Sequence, residues 1–577
     1  MTSRNQENSH NQEDSRNKEN SRNKENSHEQ VNSHGLVGFS EDTAAELASQ
    51  ASSKMVRNAG KLSLLTFVSR VLGLIREMTK ARFLGTGIYS DAFTVSFIIP
   101  NFLRRLFAEG SVTVAFIPTY KGYLHAHNDS ETHEFLSASL TVLSICVTIV
   151  VAIGIAFAPL IVRLFGSDPA ETAILTRIMF PFLAFVSIAA LLQGILNAHE
   201  VFGPSGFAPI LFNVCFIVVP WILGNRLGNP ARSMAVGVVI GGLAQALVQL
   251  PAVLRLGTHI GFMNPIRAFK NPGMRKVFVL IAPTILGMAA YQVNDLVSTA
   301  YASRAGTGVA SSLQYSLRLQ ELILGIFAVS AGTVLLPRLA DTVRHGAWTE
   351  YSKTLGSTMR SLLLLTVPVA VFSMAFTVRI VTLLFKSGDF SDVSVQLTAS
   401  AFFWHQSGLV FIAMNRLIAP AFYARSNTKT PTWAGIASFA VNIVLVLLLA
   451  FRFQGPGIAF ALSFSSAVNT VLLVWALIKD NIEGIRNELW LSLKYMLKML
   501  VFSAIAIVPA IFVDKAVSKV FAESGSRLVY AGLPLVTSTL VFAAIGIALL
   551  VLTKDTVAAS ITTALSRRSR GKNASQS

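Results

Sequence analysis

Five arginines stand within or beside the apolar runs of one segment, residues 69–110, and their chemistry is that of anion binding. A charged side chain at the centre of a membrane helix costs about 2.5–3.5 kcal/mol on insertion scales. A chain that keeps several such cations therefore needs a water-filled cavity to hold them, and a basic cavity handles something anionic. The five are Arg70, Arg76, Arg82, Arg104 and Arg105.

Helical spacing groups these cations with carboxylates in two parts of the chain. Arg70 and Glu77 are seven residues apart and share one helix face, whereas Arg76 lies about 120° around the same helix. Arg318 and Glu321 stand three residues apart in a second apolar setting. Arginine suits a diphosphate better than lysine does, because its planar fork binds phosphate oxygens in pairs and it does not deprotonate.

Structural roles compete with this interpretation. Arg82 can extend to the membrane interface, and only one of the neighbours Arg104 and Arg105 is expected to face a cavity. The number of arginines on two adjacent helices favours an anion site over ion pairing alone. The pairs that could instead hold helices together are Arg70–Glu77, Arg105–Glu109 and Arg318–Glu321.

Composition places these residues in an integral membrane protein. Of the 577 residues, 52% are hydrophobic and only 14% are charged, whereas a soluble domain is nearer 25% charged. The net charge of +18 lies largely in loops and tails that flank apolar runs, which is typical of membrane topology and not of nucleic-acid binding. Cys146 and Cys215 lie inside apolar runs with no metal-ligand spacing, so no metal site is predicted.

The apolar runs predict an all-α fold with about fourteen transmembrane helices. Cations concentrate in the even-numbered loops, which predicts that both termini are cytoplasmic. Residues 1–57, with serine at every sixth position and little apolar content, are expected to be a disordered cytoplasmic tail, and residues 554–577 a basic one. The spans are placed at 62–84, 89–117, 135–163, 172–197, 205–225, 233–254, 277–303, 308–335, 355–379, 393–422, 431–451, 456–478, 490–513 and 529–553.

An internal repeat organises these spans into two halves. Gly85-Thr86-Gly87 recurs as Gly306-Thr307-Gly308 at an offset of 221 residues, and other short matches follow at almost the same offset. Six spans per offset preserve the topology, so the halves are predicted to be parallel, pseudo-symmetric six-helix lobes, residues 58–255 and 275–480. Two further helices, within residues 488–553, fall outside the repeat.

Several segments together resemble the MurJ (MviN) lipid II flippases of the MOP exporter superfamily, over about residues 54 to 552. The first helix and the region after it carry the most specific matches. The matching segments read SRVLGLIRE, PNFLRRLFAEGSVTVAFIP, RLQELILGIFAVSAGTVLLP, LLFKSGDF and LIAPAFYARSNTKTP.

The resemblance implies a transporter of a bacterial inner membrane that moves lipid II, an undecaprenyl-pyrophosphate-linked peptidoglycan precursor, from the inner to the outer leaflet. It implies two lobes in a V, with residues 488–553 forming a groove for the lipid tail. Lipid II is then the partner, and other proteins of cell-wall synthesis or division are further candidates. The residues implied to bind substrate or support its binding are Arg70, Arg76, Arg104, Arg318, Asp91, Glu109, Ser311 and Glu321.

The chain departs from the family pattern at two places. Glu77 stands where members often have Asp, and Ile98 stands where some have a cation. A sodium site described for some members has only loosely placed counterparts here: Asp295, Asn442, Asn469 and Thr470. No cofactor is predicted, and sodium coupling is left unassigned.

The predicted mechanism is alternating access of the two lobes, without enzymatic chemistry. No GxxxxGK[ST], HExxH or GxSxG motif occurs, so ATP hydrolysis and the common hydrolase mechanisms are not expected. A flippase for another polyprenyl-linked oligosaccharide fits the charge equally well. A cation or drug antiporter of the same superfamily would need an acidic cavity, and a non-transporting scaffold would leave the cavity arginines without a role.

Overall fold

The computed structural model describes residues 64–106, 112–126, 128–165 and 169–560, which form helices and contain no β-strand. Side chains in these ranges are described except at 112, 113, 169, 282–291 and 326–334. The predicted tail 1–57, most of the predicted tail 554–577, and Glu109 lie outside the described residues.

The first half consists of nine helices among the described residues. Asn229 begins the last of them by accepting a hydrogen bond from the backbone N–H of Arg232, and a proline follows at the first helical position. A π-helical turn, Val112–Phe116, leads into the third. The helices are α1 (64–84), α2 (Ile88–Arg104), α3 (Ile117–His125), α4 (Asp129–Ala156), α5 (Ala158–Arg163), α6 (Pro169–Met179), α7 (Pro181–Ala198), α8 (Gly203–Leu223) and α9 (Pro230–Leu254).

The second half contains ten more. The longest has 51 residues, about twice a bilayer thickness at 1.5 Å per residue, and it breaks at Gln454, where φ is 48°. This break falls between two of the predicted spans. The helices are α10 (Pro265–Lys270), α11 (Pro272–Ala305), α12 (Val309–Arg344), α13 (Trp348–Ala375), α14 (Thr377–Phe385), α15 (Asp392–Ser407), α16 (Leu409–Ala424), α17 (Lys429–Lys479), α18 (Ile485–Val520) and α19 (Leu533–Leu552).

Eight helices of the described residues are long and apolar enough to cross a membrane, or nine if α15 and α16, bent by 43°, form one span. Every predicted span overlaps a helix, but the number fourteen stays a prediction. The first helix does not qualify because its 21 described residues carry too many charges. These charges are Arg70, Arg76, Glu77, Lys80 and Arg82.

Each half has its own apolar cores, and α11 and α12 contact both halves. In the first half α8 and α7 pack on α9; in the second, α13 packs on α16 and α18. The start of α11 contributes Met274 and Val277 to a first-half core that includes Phe135. α11 and α12 therefore connect the two halves.

At one end of the molecule the two copies of the repeated Gly-Thr-Gly turn lie against each other. Gly308 has a φ of 84° and packs so closely on the carbonyl oxygen of Thr86 that no side chain fits there. The hydroxyl of Tyr315 donates to the carbonyl oxygen of Gly85 at 3.1 Å.

The segment after α14 completes this contact. The backbone N–H of Asp389 donates to the carbonyl oxygen of Arg82 at 2.9 Å, and the hydroxyl of Thr86 donates to that of Ser394 at 2.8 Å. We call this contact, made by residues 82–91, 306–315 and 386–394, the closed end.

Candidate functional site

Three adjoining cavities lie between α1, α2, α11 and α12, and Arg318 lines all of them. The Arg70 cavity has a volume of about 360 Å³ and is also lined by Arg416. The Lys80 cavity has a volume of about 50 Å³ and reaches Thr94 on α2. A third cavity, of about 150 Å³, is lined by Arg105, Asp295, Arg318 and Glu321. Because they share lining residues, we refer to the three together as the basic cavity.

Cations outnumber carboxylates in the lining of the basic cavity by six to three. Glu77, Asp295 and Glu321 are the carboxylates, so the lining carries a formal charge of +3 before any ligand binds. An excess of positive charge in an apolar surrounding attracts anions and disfavours cations. The cations are Arg70, Arg76, Lys80, Arg105, Arg318 and Arg416.

Glu77 links the two helices that carry most of this charge. Its Oε1 lies 2.7 Å from Nη2 of Arg76 and 4.0 Å from Nε of Arg318. Arg76 also donates to Oδ1 of Asn213 on α8 at 3.0 Å, and its guanidinium lies 5.5 Å from the ring centre of Phe216. One carboxylate shared by two guanidinium groups holds both in place and neutralises only one of them.

Arg318 reaches both its own helix and α1. Its Nη1 lies 2.6 Å from Oε2 of Glu321, and its side chain stays 31% exposed. Glu321 is 49% exposed, so this ion pair is screened and can be exchanged for another anion at small cost. Arg318 is thus positioned by carboxylates without being enclosed by them.

Of the two neighbouring arginines at the end of α2, Arg105 lines the basic cavity. Its Nη1 donates to Oε1 of Gln292 on α11 at 2.9 Å. Arg104, the one chosen from the sequence, lines none of the three cavities, and its Nε donates to Oδ1 of Asn101 at 3.0 Å. A π-helical turn begins at residue 105 and changes the rotation there, which an α-helical spacing argument does not anticipate.

Asp91 and Ser311 lie at the closed end and not in the lining of the three cavities. The two carboxylate oxygens of Asp91 accept from the backbone N–H groups of Gly308, at 2.5 Å, and Ser311, at 2.8 Å. A buried carboxylate on α2 therefore caps the first turn of α12, where unpaired N–H groups and the helix dipole favour an anion. Their part in substrate binding stays a prediction.

We expect Asp91→Ala to lower the stability of the protein, because two buried N–H donors lose their acceptors. Each unsatisfied buried donor costs about 1–3 kcal/mol. Asp91→Asn keeps one acceptor oxygen and should cost less. The measurement is the apparent melting temperature of the purified protein in detergent. Equal melting of wild type and Asp91→Ala would contradict the capping role, and Asp129→Ala, on an exposed helix start, is the control.

Three residues of the site were not selected from the sequence. Lys80 follows Arg76 by four residues and shares its helix face, so the same spacing argument would have found it. Asn213 and Arg416 come from α8 and α16, and only the packing of those helices brings them to the cavity. Arg82 is exposed beside Trp221, at 5.2 Å from the ring centre, as a side chain at an interface would be.

Two of the residues considered for sodium hydrogen-bond to asparagine side chains, and sodium coupling stays unassigned. Asn442 donates to Oδ1 of Asn294 at 2.6 Å, and Thr470 donates to Oδ1 of Asn415 at 2.8 Å. Asp295 lines the basic cavity, where Arg318 also lies. Within the described residues no group of three or more His, Cys, Asp and Glu side chains could hold a metal ion.

Helices of membrane-spanning length around a basic cavity are typical of a membrane transporter. The fold matches a solved lipid II flippase MurJ in an inward closed conformation, with a TM-score of 0.69 at 23% identity over 85% of this chain and 98% of the other. It also matches a MATE family multidrug transporter in an inward-facing conformation, with a TM-score of 0.62 at 13% identity over 73% of this chain and 98% of the other. At these identities the structures show the fold alone.

Sequence comparison gives the family. The family model for the lipid II flippase MurJ matches residues 80–530. A probable lipid II flippase MurJ of Treponema pallidum is 42% identical over 513 residues, 88% of this chain and 97% of the relative. The lipid II flippase MurJ of Burkholderia cenocepacia is 34% identical over 430 residues, 72% and 82% of the two chains. The chain belongs to the lipid II flippase MurJ family and is a multi-pass protein of the bacterial inner membrane.

Proposed function

We propose that this protein moves lipid II from the inner to the outer leaflet of the bacterial inner membrane and so supplies peptidoglycan synthesis. The observation that carries the proposal is the lining of the basic cavity, where six cations face three carboxylates. The relatives described above carry the same activity in their names.

The guanidinium groups would take over the role of water at the diphosphate. A diphosphate cannot enter an apolar region unless fixed donors replace its hydration shell. Arg76 and Arg318 are held only 2.7 Å and 4.0 Å from the shared Oε1 of Glu77, so both point toward one region. Paired N–H groups of such side chains match phosphate oxygens.

Alternating access accounts for the closed end. The pattern of charged loops predicts that the turn after α1 lies at the outer face and that both termini are cytoplasmic. In this conformation the outer side is then sealed by the contacts of Thr86 with Ser394 and of Tyr315 with Gly85. The headgroup would enter from the inner side between α1 and α12, and separation of the closed end would release it outward.

The polyprenyl tail would stay in lipid along α18 and α19. Within residues 528–552, only 6% of the most apolar stretch of 18 residues is buried inside the protein, so this helix presents apolar surface to lipid. The ion pair Arg379–Asp514, with 3.0 Å between Nε and Oδ1, connects α18 to the start of α14. Membrane potential, worth about 2.3 kcal/mol per elementary charge per 100 mV, is a sufficient driving force.

Charge disfavours the antiporter alternative even though the fold is shared with MATE transporters. A site for organic cations needs a carboxylate excess, and the basic cavity has the opposite. A flippase for a different polyprenyl diphosphate-linked oligosaccharide fits the cavity equally well, and substrate competition separates the two.

The test is complementation of cells depleted of their own lipid II flippase, with and without residues 1–57, at matched membrane abundance. Full-length protein and the deletion variant are both expected to restore growth. The second measurement is protection of fluorescent lipid II from an external quencher in proteoliposomes. Well-expressed protein that restores neither growth nor transport, but moves another polyprenyl-linked oligosaccharide, would overturn the assignment.

A further inference from the structure

Lys80 is a buried cation of the basic cavity that has no carboxylate partner among the described residues. It is 6% exposed, and its Nζ donates to Oγ1 of Thr94 on α2 at 3.1 Å. An ammonium group has three N–H donors, so this bond uses one of them. No ion pair joins Lys80 to an acidic residue in the described part of the chain, in contrast to Arg76 and Arg318.

Two aromatic rings lie beside the ammonium group. Nζ lies 4.8 Å from the ring centre of Tyr315 and 5.6 Å from that of Phe93. Ring faces attract a cation but neutralise none of its charge. Glu77 lines the same cavity but makes no ion pair with Lys80, so an anion that contacts Nζ directly would complete the site for part of the transport cycle.

The position of Lys80 along α1 suggests when that anion arrives. Arg70, Arg76 and Lys80 span ten residues, or about 15 Å along the helix axis. Arg70 lines the largest of the three cavities, Arg76 lines both this one and the Lys80 cavity, and Lys80 lines only the latter. Of the three cations on α1, Lys80 lies nearest the closed end, so a group that moves along α1 toward that end meets it last.

We infer that Lys80 is a further substrate-binding residue, which takes the diphosphate of the polyprenyl substrate from Arg76 and Arg318 as the closed end opens. The inference rests on the proposed function and deepens it. It assigns the outward stage of transport to an ammonium group. This compact charge has one hydrogen bond, to Thr94, and it releases an anion more readily than a guanidinium group with two parallel N–H donors does.

The experiment measures binding of undecaprenyl diphosphate and undecaprenyl monophosphate to the purified full chain, together with transport in proteoliposomes. Lys80→Met is expected to weaken binding of the diphosphate about tenfold or more and to slow transport at least as much. The loss should be smaller for the monophosphate. Lys80→Arg should retain most of the binding. Lys494→Met, an exposed lysine beside Trp490 on α18, is the matched control.

A variant that moves the positive charge of Lys80 to α2 distinguishes a role of Lys80 in binding from a role in packing. Ile98 lies one turn after Thr94 on α2 and lines the same cavity, so Lys80→Met/Ile98→Lys should recover part of the diphosphate binding that Lys80→Met loses. Lys80→Met with a lowered melting temperature but unchanged affinity and transport per folded protein would overturn the inference in favour of a structural lysine. Wild-type protein that neither binds the diphosphate nor restores growth would instead overturn the proposed function.

Discussion

Arg318→Ala is expected to abolish transport while the protein remains folded in the membrane. Arg318 lines all three parts of the basic cavity, and its guanidinium lies between Glu77 and Glu321. A charge-assisted hydrogen bond contributes about 1.5–3 kcal/mol, and a guanidinium fork makes two to a diphosphate. Loss of both corresponds to a decrease of about a hundredfold or more in transport rate.

The competing explanation for such a loss is the unpaired carboxylate that the substitution leaves behind. In Arg318→Ala/Glu321→Ala that carboxylate is gone as well. If Arg318 only neutralises Glu321, the double variant regains transport; if it binds substrate, the double variant stays inactive. Arg360→Ala removes a similarly close ion pair, 2.7 Å from Glu488, outside the lining of the basic cavity, and should keep transport near the wild-type rate.

Charge spacing singled out, in the sequence, three arginines that line the basic cavity. Arg70, Arg76 and Arg318 stand in apolar runs, where a cavity or an ion pair must accommodate their charge, and the structure brings all three to adjoining cavities. The internal repeat likewise pointed to the paired Gly-Thr-Gly turns, although not to their direct contact. What these residues bind stays a proposal.

The features of the site that could not be predicted from the sequence depend on local backbone rotation and on helix packing. A π-helical turn begins at residue 105, and Arg105, not Arg104, lines the basic cavity. The position of Asp91 in the sequence does not predict that its carboxylate caps α12, because the N–H groups it accepts from lie about 220 residues away. Asn213 reaches Arg76 only because α8 packs beside α1.

A disulfide across the closed end is expected to stop transport completely and reversibly. The hydroxyl oxygens of Thr86 and Ser394 are 2.8 Å apart, and both side chains are buried. Cysteine sulfurs at these positions would lie close enough to form a disulfide, whose S–S bond is about 2.05 Å long. The variant is Thr86→Cys/Ser394→Cys in a background of Cys146→Ala/Cys215→Ala, which removes the two native thiols.

The size of the expected effect follows from what must move. Each hydrogen bond of the closed end contributes about 1 kcal/mol and opens thermally, whereas a covalent bond does not. Oxidation should therefore halt movement of lipid II in proteoliposomes, and a reductant should restore it, while each single-cysteine variant stays active under both conditions. Full cross-linking with an unchanged transport rate would mean that the substrate leaves by a route that does not part Thr86 from Ser394, and alternating access at this end would have to be abandoned.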